Sequence, residues 1–185
     1  MTDVAYKNRT SNLDTYSKDF IVKELKNFGL YQDNPYNIKC DTLLDIACGN
    51  GVFSRELSKY FKVSGEDLSS EAIKRANVES KNKNTVYKNC DCINETSNHD
   101  IVFVRGASFF TRNKIYSDEF QKYLKHLMKR CNKIFAFGQY NKNKVTNAYK
   151  YHSIKDLNKI FSNYGNVLMN KMIGNYLYVV VQKTP

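Results

Sequence analysis

Two periods of apolar residues alternate along the chain, and the switches between them lay out its elements. From Asn12 to Phe28, the residues Leu13, Tyr16, Phe20, Ile21, Leu25 and Phe28 recur at helical spacing, with Gly29 as a stop. After a turn at Asp33-Asn34-Pro35 comes a short run, Leu43, Leu44, Ile46 and Ala47, broken only by Asp45, which reads as a parallel strand buried on both faces. Gly49 and Gly51 let the chain turn sharply, and Val52, Phe53 and Leu57 mark one side of the helix that follows. Its first backbone N–H groups are expected to face a ligand.

Further strands are expected from Val63 to an acidic end at Asp67, at Thr85 to Lys88, at His99 to Val104 and at Lys133 to Gly138. Ser117 to Cys131 places Phe120, Leu124, Leu127, Met128 and Cys131 on one helical face, with Ser117 as its cap. Gln139 to Tyr151 has no period and reads as an extended loop of functional length. Ser153-Ile154-Lys155-Asp156 is a capping box with Asp in place of Glu, and it opens a helix that ends near Gly165. Val167 to Ile173 and Tyr176 to Gln182 flank Gly174-Asn175 as a hairpin. Strands alternating with helices, then a hairpin, predict an α/β fold with a mostly parallel sheet.

Three strand ends carry the chemistry. The first strand runs into D-I-A-C-G-N-G, the second into G-E-D-L-S-S-E-A-I-K-R-A and the third into N-C-D-C. The glycine turn is neither the G-x-G-x-x-G of dinucleotide enzymes nor a phosphate loop. An acid at the second strand end, Asp67, can accept both hydroxyls of a ribose. Together the three segments resemble the class I S-adenosylmethionine-dependent methyltransferases, from about Thr42 to the C-terminus.

That resemblance implies a Rossmann-like fold with a mostly parallel seven-stranded sheet, a C-terminal antiparallel hairpin and helices on both faces. It implies one domain over residues 1–185, with residues 1–35 as a helical lid and residues 40–185 as the core. It further implies S-adenosylmethionine as cofactor, with S-adenosylhomocysteine as product. Asp45, Ala47, Cys48, Gly49, Asn50, Gly51 and Phe53 would surround the methionine end, Asp67, Leu68 and Ser69 the ribose, and Asp91 and Cys92 the adenine. Tyr6 and Tyr16 precede the first strand, where an aromatic ring would shield the reaction and contact the sulfonium, although Tyr16 also fits the apolar stripe of its helix.

Methyl transfer is an in-line displacement, so alignment supplies much of the catalysis and a base is hard to read from sequence. His152, just before a helix, is the most plausible histidine base. His99 and His126 read as structural. Arg105, after the fourth strand, is a candidate for the cofactor side and for gripping an anionic acceptor, or else a partner for an acid of the fold. Arg112, Lys114, Lys142 and Lys144 are further cationic candidates, and Tyr140 a wall or proton acceptor. Phe109 and Phe110 would line the acceptor pocket or serve as core.

The 185 residues suit one domain with a substantial core and are too few for a separate substrate domain. No run approaches the roughly 18 apolar residues of a membrane span, and the first residues lack a signal-peptide core, so a cytoplasmic protein without membrane contact is expected. Five cysteines at irregular spacing argue for reduced thiols, and no pattern supplies the ligands of a metal site. The net charge of +11 is uneven. Residues 1–104 carry 14 Lys and Arg against 15 Asp and Glu, while residues 105–185 carry 15 against 3. That excess either solubilises the surface or draws an anionic acceptor, with a phosphorylated or nucleotide-linked sugar methylated on oxygen as the favoured case. A nucleic-acid methyltransferase is the alternative, although V-R-G-A-S-F stands where base-methylating relatives carry N-P-P-Y or N-P-P-F. A noncatalytic cofactor-binding subunit is a third reading.

Overall fold

The computed structural model describes residues 15–29, 36–140 and 152–184. Tyr6, Lys142 and Lys144 lie outside them. Seven strands form one sheet in the order β3-β2-β1-β4-β5-β7-β6, a parallel core with an antiparallel C-terminal hairpin. This is the Rossmann-like arrangement expected from the sequence. The chain divides into two compact units, residues 1–95 and 96–185.

In the first unit, α1 (Thr15–Lys26) buries Ile21 and Leu25 one turn apart, with Phe28 just beyond it. β1 (Thr42–Ile46) has Leu43, Leu44, Asp45 and Ile46 all buried, which explains its unbroken apolar character. It pairs in parallel with β2 (Lys62–Asp67), matching Asp45 with Gly65 and Ile46 with Glu66. β2 pairs in turn with β3 (Thr85–Asn89), matching Gly65 with Tyr87. Between them run α2 (Val52–Leu57) and α3 (Ser70–Glu79). Ser69 caps α3 by accepting the Ala72 N–H at 3.2 Å. A single 3₁₀ turn, Cys92–Asn94, closes the unit.

The second unit starts at β4 (His99–Arg105), parallel to β5 (Cys131–Tyr140). A short helix, α4 (Ser108–Thr111), precedes α5 (Asp118–Arg130), which buries Phe120, Tyr123, Leu124, Leu127 and Met128. Ser117 caps α5 as its sequence predicts, accepting the Phe120 N–H. At the other end of α5 the Arg130 side chain is fully buried, donating from Nε to the Ser97 carbonyl and from Nη2 to the Ser97 hydroxyl, each at 3.1 Å. Ser153 opens α6 (Ile154–Phe161) by accepting the Asp156 N–H at 3.0 Å, and its hydroxyl donates to the Asp156 carboxylate at 2.7 Å. β6 (Gly165–Ile173) and β7 (Tyr176–Lys183) form the terminal hairpin, and β7 also pairs antiparallel with β5.

Strand β5 corrects the expected boundary. It extends to Tyr140 because Gln139 and Tyr140 are paired with Leu177 and Tyr176 of β7, so neither belongs to a loop. Among the described residues no helix is long and apolar enough to cross a membrane.

Candidate functional site

In the first unit the chemistry gathers at the carboxyl end of β1. Ala47 leaves the strand with φ of 57°, and Gly49 and Gly51 follow at 57° and 76°. Three left-handed residues in five make the tight turn that the glycines permit, and only Ala47 carries a Cβ against the preference of that region. Below the turn, the buried Asp45 carboxylate accepts the Ser54 hydroxyl at 2.5 Å, fastening β1 to α2. Cys48 is buried under the turn. Burial, and then the charges of Asp45 and Asp67, push its thiol far above the ordinary cysteine range.

Asp67 closes β2 with both carboxylate oxygens engaged. Oδ2 accepts the Gly49 N–H and Oδ1 the Ser69 N–H, each at 2.8 Å. The acid at the second strand end therefore grips the glycine turn itself. Each oxygen retains room for a second donor, so the pair can also take two ribose hydroxyls. Leu68 beside it is 53% exposed. Asp91 caps the 3₁₀ turn by accepting the Ile93 N–H at 3.2 Å, with Cys92 buried behind it. Phe53 is buried on α2, and Asn50 lies half-buried in the turn. Tyr16 falls within α1.

The second unit holds the remaining candidates. Arg105 ends β4 and lies across the sheet. Its Nε donates to the Tyr178 hydroxyl at 3.1 Å, and its Cζ sits 3.7 Å from the centre of the Tyr176 ring. Tyr140 packs against Tyr176 at 5.1 Å. The arginine thus stands among tyrosines, a setting that neither sequence alternative for it foresaw. Arg112 and Lys114 are exposed. Phe109 stacks on Tyr123 at 4.1 Å, and Phe110 is buried against Phe120 and Phe137.

His152 lies in the interior. It is 5% exposed, its Nε2 lies 3.1 Å from the Phe110 carbonyl, and its ring meets Phe120 edge-on. A carbonyl can only accept, so Nε2 carries the proton, and burial holds the ring's pKa below its ordinary value. A shielded ring with this bond anchors the start of α6. His99 is buried at the start of β4, and His126 is half-buried on α5.

The sequence profile of a family described as "Methyltransferase domain" matches residues 43–131, the stretch that contains the glycine turn, Asp67 and Asp91. Over these residues the chain is similar to that methyltransferase family. Solved structures share its fold at low identity. Magnesium protoporphyrin IX methyltransferase from Synechocystis, with bound S-adenosylmethionine, is 14% identical with a TM-score of 0.72, over 97% of this chain and 88% of that one. N-methyltransferase NodS from Bradyrhizobium japonicum, in complex with S-adenosylhomocysteine, is 12% identical with a TM-score of 0.74, over 98% and 97%. An S-adenosylmethionine-dependent methyltransferase from Aquifex aeolicus is 17% identical with a TM-score of 0.70, over 98% and 97%. No curated protein sequence matches the chain.

Sequence reasoning missed Tyr87, Tyr176 and Tyr178. The Tyr87 ring lies over Gly65, and its hydroxyl donates to the Gly51 carbonyl at 3.4 Å. The only available signal was indirect. Gly65 and Gly138 are glycines inside strands, which often mark a close approach by a neighbour.

Proposed function

We propose that this methyltransferase domain, residues 1–185 acting as one catalytic unit, binds S-adenosylmethionine and methylates a small, polar, anionic acceptor. Asp67 is the observation that carries the cofactor half. Its carboxylate stands at the end of β2 and is already bonded to the glycine turn, so a ribose held there fixes the cofactor against that turn. Asp45, Ala47, Cys48, Gly49, Asn50, Gly51 and Phe53 surround the methionine end. Leu68 and Ser69 flank the ribose, and Asp91 and Cys92 flank the adenine.

When bound, the cofactor would supply an electrophilic methyl group on a sulfonium for transfer to the acceptor oxygen. The chain's residues orient the two partners and receive or release the acceptor proton. Arg105 and Tyr140, in the second unit, are the groups we assign to the acceptor. A guanidinium fixed on two tyrosines is a pre-organised receptor for phosphate or carboxylate, and the excess of 15 cations over 3 acids in residues 105–185 favours such an acceptor. The favoured acceptor is a phosphorylated or nucleotide-linked sugar, methylated on oxygen.

Calorimetric titration with S-adenosylhomocysteine tests the cofactor half. Asp67→Asn should weaken binding by about ten- to a hundredfold, the loss expected for hydrogen bonds to a charged group. Binding by the Asp67→Asn variant equal to that of the unmodified chain would sink the assignment. A methyl-transfer screen of nucleotide sugars, phosphorylated metabolites and tRNA tests the acceptor half. Activity on tRNA alone would replace the small-acceptor reading with the nucleic-acid one, which the same basic excess supports.

A further inference from the structure

The glycine turn is gripped from two sides. Asp67 holds it through the Gly49 N–H. Each Asp67 oxygen has room for a second donor, so a bound ribose would share that grip. Backbone bonds from the Gly51 N–H to the Cys48 carbonyl at 3.0 Å and from the Cys48 N–H to the Glu66 carbonyl at 3.1 Å fasten the turn further, and it has side-chain fastenings besides.

Two side chains do so, both in the first unit and neither in the cofactor motifs. Arg55, on α2, donates from Nη1 to the Asn50 carbonyl, while its Nη2 pairs with Glu79 of α3 at 2.7 Å. Tyr87, on β3, donates its hydroxyl to the Gly51 carbonyl at 3.4 Å. The Gly51 carbonyl also accepts the Arg55 N–H at 2.9 Å, so these contacts fall on adjacent residues of the turn.

Two glycines make the tyrosine's place. A Cβ on Gly65 would lie 2.7 Å from Tyr87 Cδ1, and a Cβ on Gly51 would lie 2.4 Å from Tyr87 Oη. No real Cβ sits so close, so the ring occupies space that exists only because both positions lack a side chain. The register that sets Tyr87 beside Gly65 delivers the hydroxyl to the turn.

We propose that Tyr87 and Arg55 are positioning residues for the cofactor: together they hold Asn50 and Gly51 in the left-handed turn, so that the cofactor meets it already formed. The proposal rests on the reading that this turn holds S-adenosylmethionine. Pre-forming a turn raises affinity by sparing the ordering that binding would otherwise require. Arg55 matters here through its fork. One arm reaches Glu79 and the other the turn, which an ammonium cannot do from the same place.

The test is titration of the full chain with S-adenosylhomocysteine, paired with thermal melting of the cofactor-free protein. Tyr87→Phe keeps the ring in its seat and removes the hydroxyl that reaches the turn, so affinity should fall about three- to tenfold while the melting temperature falls no further than in Tyr178→Phe, which loses a comparable bond away from the turn. Arg55→Ala should cost about tenfold or more. Arg55→Lys should bind as weakly as Arg55→Ala even though it keeps a cation for Glu79. Lys59→Ala, which deletes the nearby exposed pair with Glu56, should leave affinity unchanged. Tyr87→Phe and Arg55→Ala binding within about twofold of the unmodified chain would overturn the proposal, since the deleted bonds are worth more than that. A lysine variant with full affinity would overturn the role of Arg55. Affinity losses that only track losses of melting temperature would reduce both residues to fold stability and overturn it as well. The cofactor reading fails separately, if the unmodified chain itself does not bind.

Discussion

Arg105 meets the Tyr178 hydroxyl at 3.1 Å across a strand that offers no side chain between them. Arg105, Gly138 and Tyr178 are register partners on β4, β5 and β7. A Cβ on Gly138 would fall 2.6 Å from Tyr178 Cε1 and 3.3 Å from Arg105 Cγ. Gly138→Ala should therefore destabilise the protein by about 1–3 kcal/mol through overpacking. Tyr178→Phe, which removes the bond and keeps the ring, should cost only about 1 kcal/mol. Urea denaturation measures both, and an alanine variant as stable as the parent would show that the tyrosine ring can be displaced freely.

The turn between β1 and α2 gives a pair of opposite expectations. Gly51 has φ of 76° and a tyrosine hydroxyl where a side chain would go, so Gly51→Ala should cost at least about 1–2 kcal/mol and abolish cofactor binding. Ala47 already bears the left-handed penalty at φ of 57°. Replacing it with glycine relieves that strain but adds unfolded-state entropy, for a net gain of up to about 1 kcal/mol. Thermal melting of the two variants should move in opposite directions; a destabilised glycine variant would mean that the Ala47 methyl is needed for packing.

His152 makes stability depend on pH. Burial lowers its folded pKa below the ordinary 6.5, while the Phe110 carbonyl and Asp156 pull the other way. The unfolded chain therefore binds the proton more readily than the native one. The histidine's contribution is complete above the unfolded pKa and declines as pH falls below it towards the folded value. Denaturation midpoints between about pH 8 and pH 5 should fall on the acid side, and His152→Gln should flatten that slope. An unchanged slope in the variant would move the titration elsewhere.

The thiols should react in a fixed order. Burial pushes Cys131 up to about 12 and Cys48 higher still, and Cys40 and Cys92 are buried with them. Cys90 alone is half-buried. Alkylation of the native protein at about pH 8, read by mass spectrometry, should label Cys90 first and the other four only after denaturation. Early labelling of Cys48 would show that the glycine turn opens readily.

The elements were legible where the signal is local. The apolar run of β1, the glycines after it, and the caps Ser117 and Ser153 each declare themselves within a few residues. The acids Asp67 and Asp91 stood out because they follow expected strands. What stayed hidden depends on side chains brought together by register. Tyr87 reads as an ordinary edge-strand residue until β3 is laid beside Gly65. His152 looks like an accessible base until Phe110 and Phe120, more than 30 residues away in the chain, enclose it. Tyr140 belongs to a strand because β7 pairs with it, a fact that its own neighbours in sequence do not contain.

Arg130 has a consequence for how the second unit opens. Its buried guanidinium donates to the Ser97 carbonyl and hydroxyl at the foot of β4. Fraying of that foot would take two hydrogen bonds from a buried guanidinium, which couples the end of α5 to the residues before β4. The two should exchange their amide hydrogens as one cooperative unit, with a single opening energy for segments that lie 33 residues apart.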